Sequence, residues 1–494
     1  MLAKQTKRSD PKSRLRSLID KRPEKYFDTQ VKVLVVVPDG NPIFPIWCIE
    51  YSLKLISEGN KVDFLDLQDL NTHIFGKRFK KWIFNISRKN RSRAIVNTLC
   101  NKYGINELKL ANQPLPNIEV TLGFEAEETF RLAMSSKYGA KFGSRFVTLE
   151  EIPRNIVNQE RLFFLITYLN VQKVIVDKQI DCLVSVNGRL VVSAAVVAAT
   201  RSLGIPIVLL EAVGNLGDRY HVFDRSPHDL RELQEAQMSL WNGASKLRNE
   251  VAKAFFRENY ESRLSIQKSV EYTFTQEFKL LDQNRKIASF FPTTETEYPV
   301  FTDFYTSPVF GGSQQKAFLE FATIAASFDF HVIVRAHPQS PDLDNLEEKE
   351  DEIWEKLCKE VGASFISASS GVNSYDLIKK SDLCVTYGSS IGIETIYMGI
   401  PFIILGESDY SRYIPNNCGF DSEKINVLLE NGIPEITLDA LHPWAYWNAC
   451  GGFPLHLFQI ESGFKVIYEG REVDEMKFWY RNLKTVAGKL RILN

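Results

Sequence analysis

Two short segments in the second half of the chain carry residue types suited to holding an anion. The first is Thr386-Tyr-Gly-Ser-Ser-Ile-Gly-Ile-Glu394. It reads as the end of a buried strand, a tight turn, and a helix that starts near Ile391. Open amides in the first turn of a helix, with the hydroxyls of Ser389 and Ser390 beside them, form an anion site. Gly388 and Gly392 let the backbone approach such a ligand closely, and Tyr387 stands at the same strand end. Glu394 falls in the first helical turns and is expected to face the same crevice, where its carboxylate can accept bonds from hydroxyls. The plainer alternative makes Ser389 a helix N-cap and Glu394 a favourable first-turn charge.

The second segment is Val332-Ile-Val-Arg-Ala-His-Pro338. A buried strand delivers Arg335 and His337 to its C-terminal edge, both on one side because strand side chains repeat every two residues. A guanidinium and an imidazole together suit a phosphate or diphosphate; the alternative is a loop-capping His and an Arg in an ion pair. A proton-removing group is expected in the first half of the chain. Asp39 follows the first strand and Glu211 follows another, so both are candidates for a general base. His221, Asp224, His228 and Asp229 lie in the polar segment after Glu211 and are weaker candidates.

These residues need elements to place them. The chain has 494 residues, 44% hydrophobic and 24% charged, which is ordinary globular composition and suits two domains. The run Val31-Lys-Val-Leu-Val-Val-Val37 reads as a fully buried parallel strand. A helix at 46–57 and a strand at 61–67 complete a βαβ unit. The alternation returns with a strand at 181–186, a helix at 191–202 and a strand at 206–210. A charged helical connector is expected at 229–284. A second series follows: strands at 286–291, 331–335, 364–366, 383–386 and 401–405, with helices at 313–327, 352–361, 374–380 and 391–398 between them. The expected fold is α/β, with two Rossmann-like lobes facing across a cleft. Its parts are a basic arm at 1–29, a first domain at 30–228 with an insertion around 75–175, the connector, a second domain at 285–440, and a tail at 441–494 packing back.

Arg335-Ala-His-Pro338, the Tyr375-Asp-Leu-Ile378 helix, the Thr386–Glu394 segment and Gly399-Ile-Pro401 together resemble the C-terminal lobe of capsule polysaccharide biosynthesis proteins, a family that includes Kdo transferases of the GT-B fold. The resemblance spans residues 286–413 and, more loosely, 206–232 and the tail. It implies a metal-independent glycosyltransferase without a cofactor, in which His337, Ser389, Ser390 and Gly392 hold the phosphate of a nucleotide-sugar donor. Arg335, Tyr387 and Glu394 assist, and a glycan or lipid-linked glycan is the acceptor. It points to a CMP-linked donor, whereas the residues themselves leave the nucleotide, the sugar and the stereochemistry open. Two other readings stand beside it: a nucleotide-sugar 2-epimerase, and a non-catalytic assembly protein with a vestigial nucleotide site.

The formal net charge of -1 offers no global attraction to nucleic acid. The N-terminal residues 1–29 are locally basic. Residues 75–93 interleave Lys and Arg with aromatics, a pattern that fits an anionic membrane surface or a solvated helix with one apolar stripe. The seven cysteines are scattered without a CxxC pair, as in a reducing compartment. A cytoplasmic location, peripheral at the inner face of the membrane, is the corresponding expectation.

Overall fold

The computed structural model describes residues 30–38, 43–67, 100, 105–108, 122–142, 149–150, 152–214, 218–224, 227, 229–261, 285–293, 309–336, 346–367, 369–370, 372–461, 465–468 and 471–472. The chain divides into two compact units, one built from residues 22–134, 152–227 and 451–494, the other mainly from residues 228–450.

The first unit contains β1 (Lys32–Val37), α1 (Phe44–Ser57), β2 (Lys61–Asp66), β3 (Asn106–Leu108), the start of α2 (Phe124–Phe142), α3 (Arg154–Lys178), β4 (Cys182–Val186), α4 (Val191–Ser202), β5 (Ile207–Ala212) and β6 (Arg219–Phe223). Its strands pair in the order β3-β2-β1-β4-β5-β6, parallel except for the antiparallel β5–β6 pair. The continuous apolar run of β1 reflects burial on both faces. Val33, Val35 and Val37 pack with α1 residues such as Trp47 and Tyr51, while Leu34 and Val36 pack with Val171 and Ile175 of α3 and Val196 of α4. β6 is an addition to the sequence expectation, since its polar residues mask the strand pattern.

The second unit begins with α5 (Leu230–Asn242) and α6 (Arg248–Phe256), followed by a single π turn at Arg257–Glu261. It continues with β7 (Lys286–Phe291), α7 (Gln314–Ser327), β8 (Phe330–Arg335), α8 (Leu346–Val361), β9 (Ser364–Ile366), α9 (Ser374–Lys380), β10 (Leu383–Thr386), α10 (Ile391–Tyr397), β11 (Phe402–Ile404), α11 (Ser422–Asn431) and α12 (His442–Cys450). The sheet order is β9-β8-β7-β10-β11, parallel throughout. One face is covered by α7, α8 and α11, where Trp354 is 2% exposed and packs on Phe290 and Phe318. The other is covered by α6, α9, α10 and α12.

The expected connector at 229–284 is therefore part of the second unit as far as it is described: Val251, Phe255 and Phe256 of α6 lie in that unit's core with Trp444 of α12. The tail divides as well, because α12 stays with the second unit. β12 (Phe453–Pro454) then pairs antiparallel with β6, and β13 (Phe458–Glu461), β14 (Lys465–Tyr468) and β15 (Arg471–Glu472) form a small antiparallel sheet. Arg219 donates from Nε to the Gly451 carbonyl at 2.6 Å, and buried Glu50 accepts from the amides of His456 at 2.9 Å and Leu457 at 2.5 Å. No helix among the described residues is long and apolar enough to cross a membrane.

Candidate functional site

In each unit the first five strands follow the spatial order third, second, first, fourth, fifth. A doubly wound sheet of this order opens a crevice beyond the C-terminal ends of its first and fourth strands, where the connections leave toward opposite faces. The two candidate edges are therefore β7 with β10 in the second unit, and β1 with β4 in the first.

At the β7–β10 edge, the buried Thr386 hydroxyl donates to the Phe291 carbonyl across the strand pair at 2.8 Å. The same oxygen accepts from the amides of Ser389 at 3.0 Å and Gly388 at 3.4 Å. One hydroxyl thus ties the first strand, the fourth strand and the turn together. Its cost to the expected anion site is that these two amides point inward. Ser390 is exposed at the start of α10, and neither its amide nor its hydroxyl has a partner among the described residues. Glu394 is half-buried one turn further on, whereas Gly392, Ile393 and Ile396 are buried. Ser390 and Glu394 consequently share the open face of α10. Tyr410 donates to the Ser389 carbonyl at 2.7 Å and fixes the turn from the other side.

Three expected site residues take other roles. Gly392 does not admit a ligand: a Cβ there would lie 2.3 Å from the Tyr410 hydroxyl oxygen and 2.5 Å from the Phe402 ring, so its lack of a side chain serves packing of α10 on β11. The guanidinium of Arg335 is buried and holds the loop after β9, donating from Nη1 to the Ser367 carbonyl and from Nη2 to the Val372 carbonyl at 3.1 Å. Tyr387 is buried, and its hydroxyl donates to the Val309 carbonyl at 3.1 Å. Ser389 lies half-buried in the turn. His337, Asp39 and His228 lie outside the described residues, as do the basic stretches 1–29 and 75–93.

Beyond the end of β11 lies a cavity of about 420 Å³, within the size range of small-molecule sites. Its wall includes Arg231 and Gln234 of α5, Glu407 and Arg412 of the loop after β11, and Asp421 and Lys424 at the start of α11. Gln234 donates to the Ser408 carbonyl at 2.9 Å, which joins helix and loop into one wall. The Cys418 thiol also lines it, but burial pushes that group up to about 12, so it is no nucleophile at neutral pH. Gly406 begins the same loop with its Cα so close to Tyr387 that a Cβ would lie 2.0 Å from that residue's carbonyl oxygen. This cavity is not legible in the sequence, because its cations are dispersed over nearly 200 positions.

In the first unit, the Ser185 hydroxyl bridges β4 to the Val36 carbonyl of β1 at 3.0 Å, the counterpart of Thr386. Asn187 and Gly188 then turn the chain with φ of 64° and 78°. Glu211, half-buried on β5, accepts from Asn187 Nδ2 at 2.7 Å and from the Ala212 amide at 3.1 Å. Burial raises its carboxyl above the usual range, opposed by those two bonds and by Arg189. His221 is paired with Glu211 across β5–β6, and burial lowers its imidazole to about 4, against the pull of Asp224. A carboxyl with a raised proton affinity beside a sheet's ligand edge is the kind of group that serves as a general base or acid. Of the two base candidates read from sequence, Glu211 is the one whose surroundings are described.

No family model matches the chain, and no curated protein matches it by sequence. Among solved structures, a Staphylococcus aureus MnaA–UDP co-structure is 10% identical, with 88% of this chain and 94% of that chain covered at a TM-score of 0.27. The Thermosulfurimonas dismutans KpsC β-Kdo 2,7 transferase is 13% identical over 64% and 90%, at 0.34. Acinetobacter baumannii MurG is 11% identical over 85% and 94%, at 0.23. Overlaps this loose assign no activity.

Proposed function

We propose that the chain is a glycosyltransferase that takes a nucleotide-activated sugar on the second unit and a surface-polysaccharide or lipid-linked glycan acceptor on the first. The observation that carries this reading is the β7–β10 edge. A parallel sheet of nucleotide-binding order ends there in a hydroxyl-rich turn, with Glu394 on the open face of the next helix and a cation-bearing cavity close by. In this reading Ser389 and Ser390 contact the donor phosphate, His337 completes that contact, and Glu394 accepts from ribose hydroxyls. Arg335 supports the edge indirectly through the loop it holds. Glu211 removes the acceptor hydroxyl's proton while that oxygen displaces the nucleotide directly, a single displacement that inverts the anomeric carbon. Contact of the basic stretches with an anionic membrane surface belongs to the same proposal, since a lipid-linked acceptor resides there.

Thermal-shift measurements with CMP-, UDP- and GDP-linked sugars test the donor half. A ligand that binds the folded state at about 100 times its Kd stabilises by about 2.7 kcal/mol. A nucleotide sugar that raises Tm in the wild type, and less in Ser389→Ala/Ser390→Ala, supports the site. No shift with any of the three overturns it. Product analysis then separates chemistries: sugar transfer that requires an added acceptor supports the proposal, whereas inversion at the sugar's C2 with donor alone identifies an epimerase instead.

A further inference from the structure

The turn after β4 is built to hold the carboxyl of Glu211. Asn187 is only 7% exposed and adopts a left-handed backbone conformation, which asparagine tolerates better than most residues. Its amide donates to the Leu210 carbonyl of β5 at 3.0 Å, fixing the turn against the strand that carries Glu211. Its side-chain oxygen accepts from the Arg189 amide at 3.0 Å. That bond decides the orientation of the carboxamide, so the other end must be the NH2 group, and it is this group that donates to Glu211 Oε2 at 2.7 Å. The second carboxylate oxygen receives the Ala212 amide at 3.1 Å. Among the described residues, the charged and titratable groups that bear on this carboxyl are Arg189 on the same turn and His221, its partner across β5–β6, which itself feels Asp224 after β6.

We propose that Asn187 is a positioning residue for proton transfer by Glu211, aiming the carboxylate through its side-chain bond to Oε2. The inference rests on the reading of Glu211 as the base. In the step concerned, the acceptor hydroxyl's proton passes to Glu211 and its oxygen bonds to the donor's anomeric carbon. The bond from that carbon to the phosphate oxygen breaks, and the nucleotide leaves with the electron pair.

Asn187→Gly is the informative variant, because glycine accepts the left-handed turn while losing the carboxamide. Asn187→Asp keeps the acceptor for the Arg189 amide but sets a second carboxylate against Glu211. Two readouts are needed. The Glu211 carboxyl is titrated by 13C NMR in glutamate-labelled protein, assigned by its loss in Glu211→Gln. Its midpoint should move to higher pH in Asn187→Gly and further in Asn187→Asp, since a donor to the ionised form is lost and then replaced by a like charge. In transfer assays, the acid limb of kcat should move the same way, with kcat at neutral pH down about tenfold and the donor KM unchanged, the effect of one lost bond to a charged group. An unmoved Glu211 midpoint overturns the proposal. So does a moved midpoint with an unmoved acid limb. Wild-type protein that transfers no sugar while its Glu211 midpoint still responds to Asn187 would instead reject Glu211 as a transferase base and leave the carboxyl clamp standing.

Discussion

Replacing Thr386 by Val tests whether one hydroxyl assembles the nucleotide edge. The side chains are nearly equal in shape, and residue 386 is 0% exposed, so the change removes polarity without opening a cavity. Lost with it are the bond to the Phe291 carbonyl at 2.8 Å and those from the Ser389 and Gly388 amides at 3.0 and 3.4 Å. Stranding a buried donor or acceptor costs about 1–3 kcal/mol. The last of the three is long and contributes little, so a total of about 3 kcal/mol is reasonable. For a unit of this size that lowers Tm by about 6–12 °C. Calorimetry on the full chain reads the effect, and nucleotide-sugar titration reads whether the loosened turn weakens ligand binding. Thr386→Ser, which keeps the hydroxyl and loses one methyl, should cost about 1 kcal/mol and retain affinity. A Val variant that melts within about 1 °C of wild type and binds donor equally well would refute the reasoning, because then the bonds hold nothing that matters.

Further outcomes follow from the same geometry. Gly392→Ala should lose about 1–3 kcal/mol, seen as an earlier urea midpoint, since Tyr410 and Phe402 must move from contacts of 2.3 and 2.5 Å. Arg335→Lys should destabilise by about 1–3 kcal/mol because one ammonium nitrogen does not reproduce the spread of Nη1 and Nη2 toward two separate carbonyls, and donor affinity of the folded variant should hold. Glu211→Gln should raise Tm at neutral pH and leave it unchanged in acid. The sign is fixed by the raised carboxyl: the folded state binds the proton more tightly, so wild-type stability falls as pH climbs from the ordinary carboxylate range through the raised value. A melting series between acid and neutral pH reads this directly.

Much of the architecture was legible because apolar strands buried on both faces leave unbroken runs, as in residues 33–37 and 383–386. Helix limits at 191–202 and 374–380 were readable from the same alternation. Strands with polar residues were harder: β6 carries Arg219 and His221, and its outer pairing is with β12, distant in sequence. At the site, motif spacing located the Thr386–Glu394 turn but could not reveal where its polar groups point. Gly392 looked like room for a ligand and is room for Tyr410 and Phe402. Arg335 looked like an anion contact and is a holder of carbonyls, because a buried guanidinium takes the nearest acceptors available. Asn187 left a weak trace in the Asn-Gly pair after β4, a turn former whose side-chain bonding only coordinates disclose.

The return of the chain at Gly451 has a bearing on synthesis. As it emerges from the ribosome, the N-terminal half can assemble β1 through β6, but Arg219 and Glu50 then wait for carbonyls and amides that are translated more than 200 residues later. Residues 228–450 can complete their own parallel sheet before those partners exist. The unit begun first is thus finished last, and during that interval the outer edge of β6 is an open ladder exposed to pairing with a neighbouring nascent chain. Emergence of residues 453–454, rather than passage of residue 227 through the exit tunnel, sets the moment when that edge can be closed by β12.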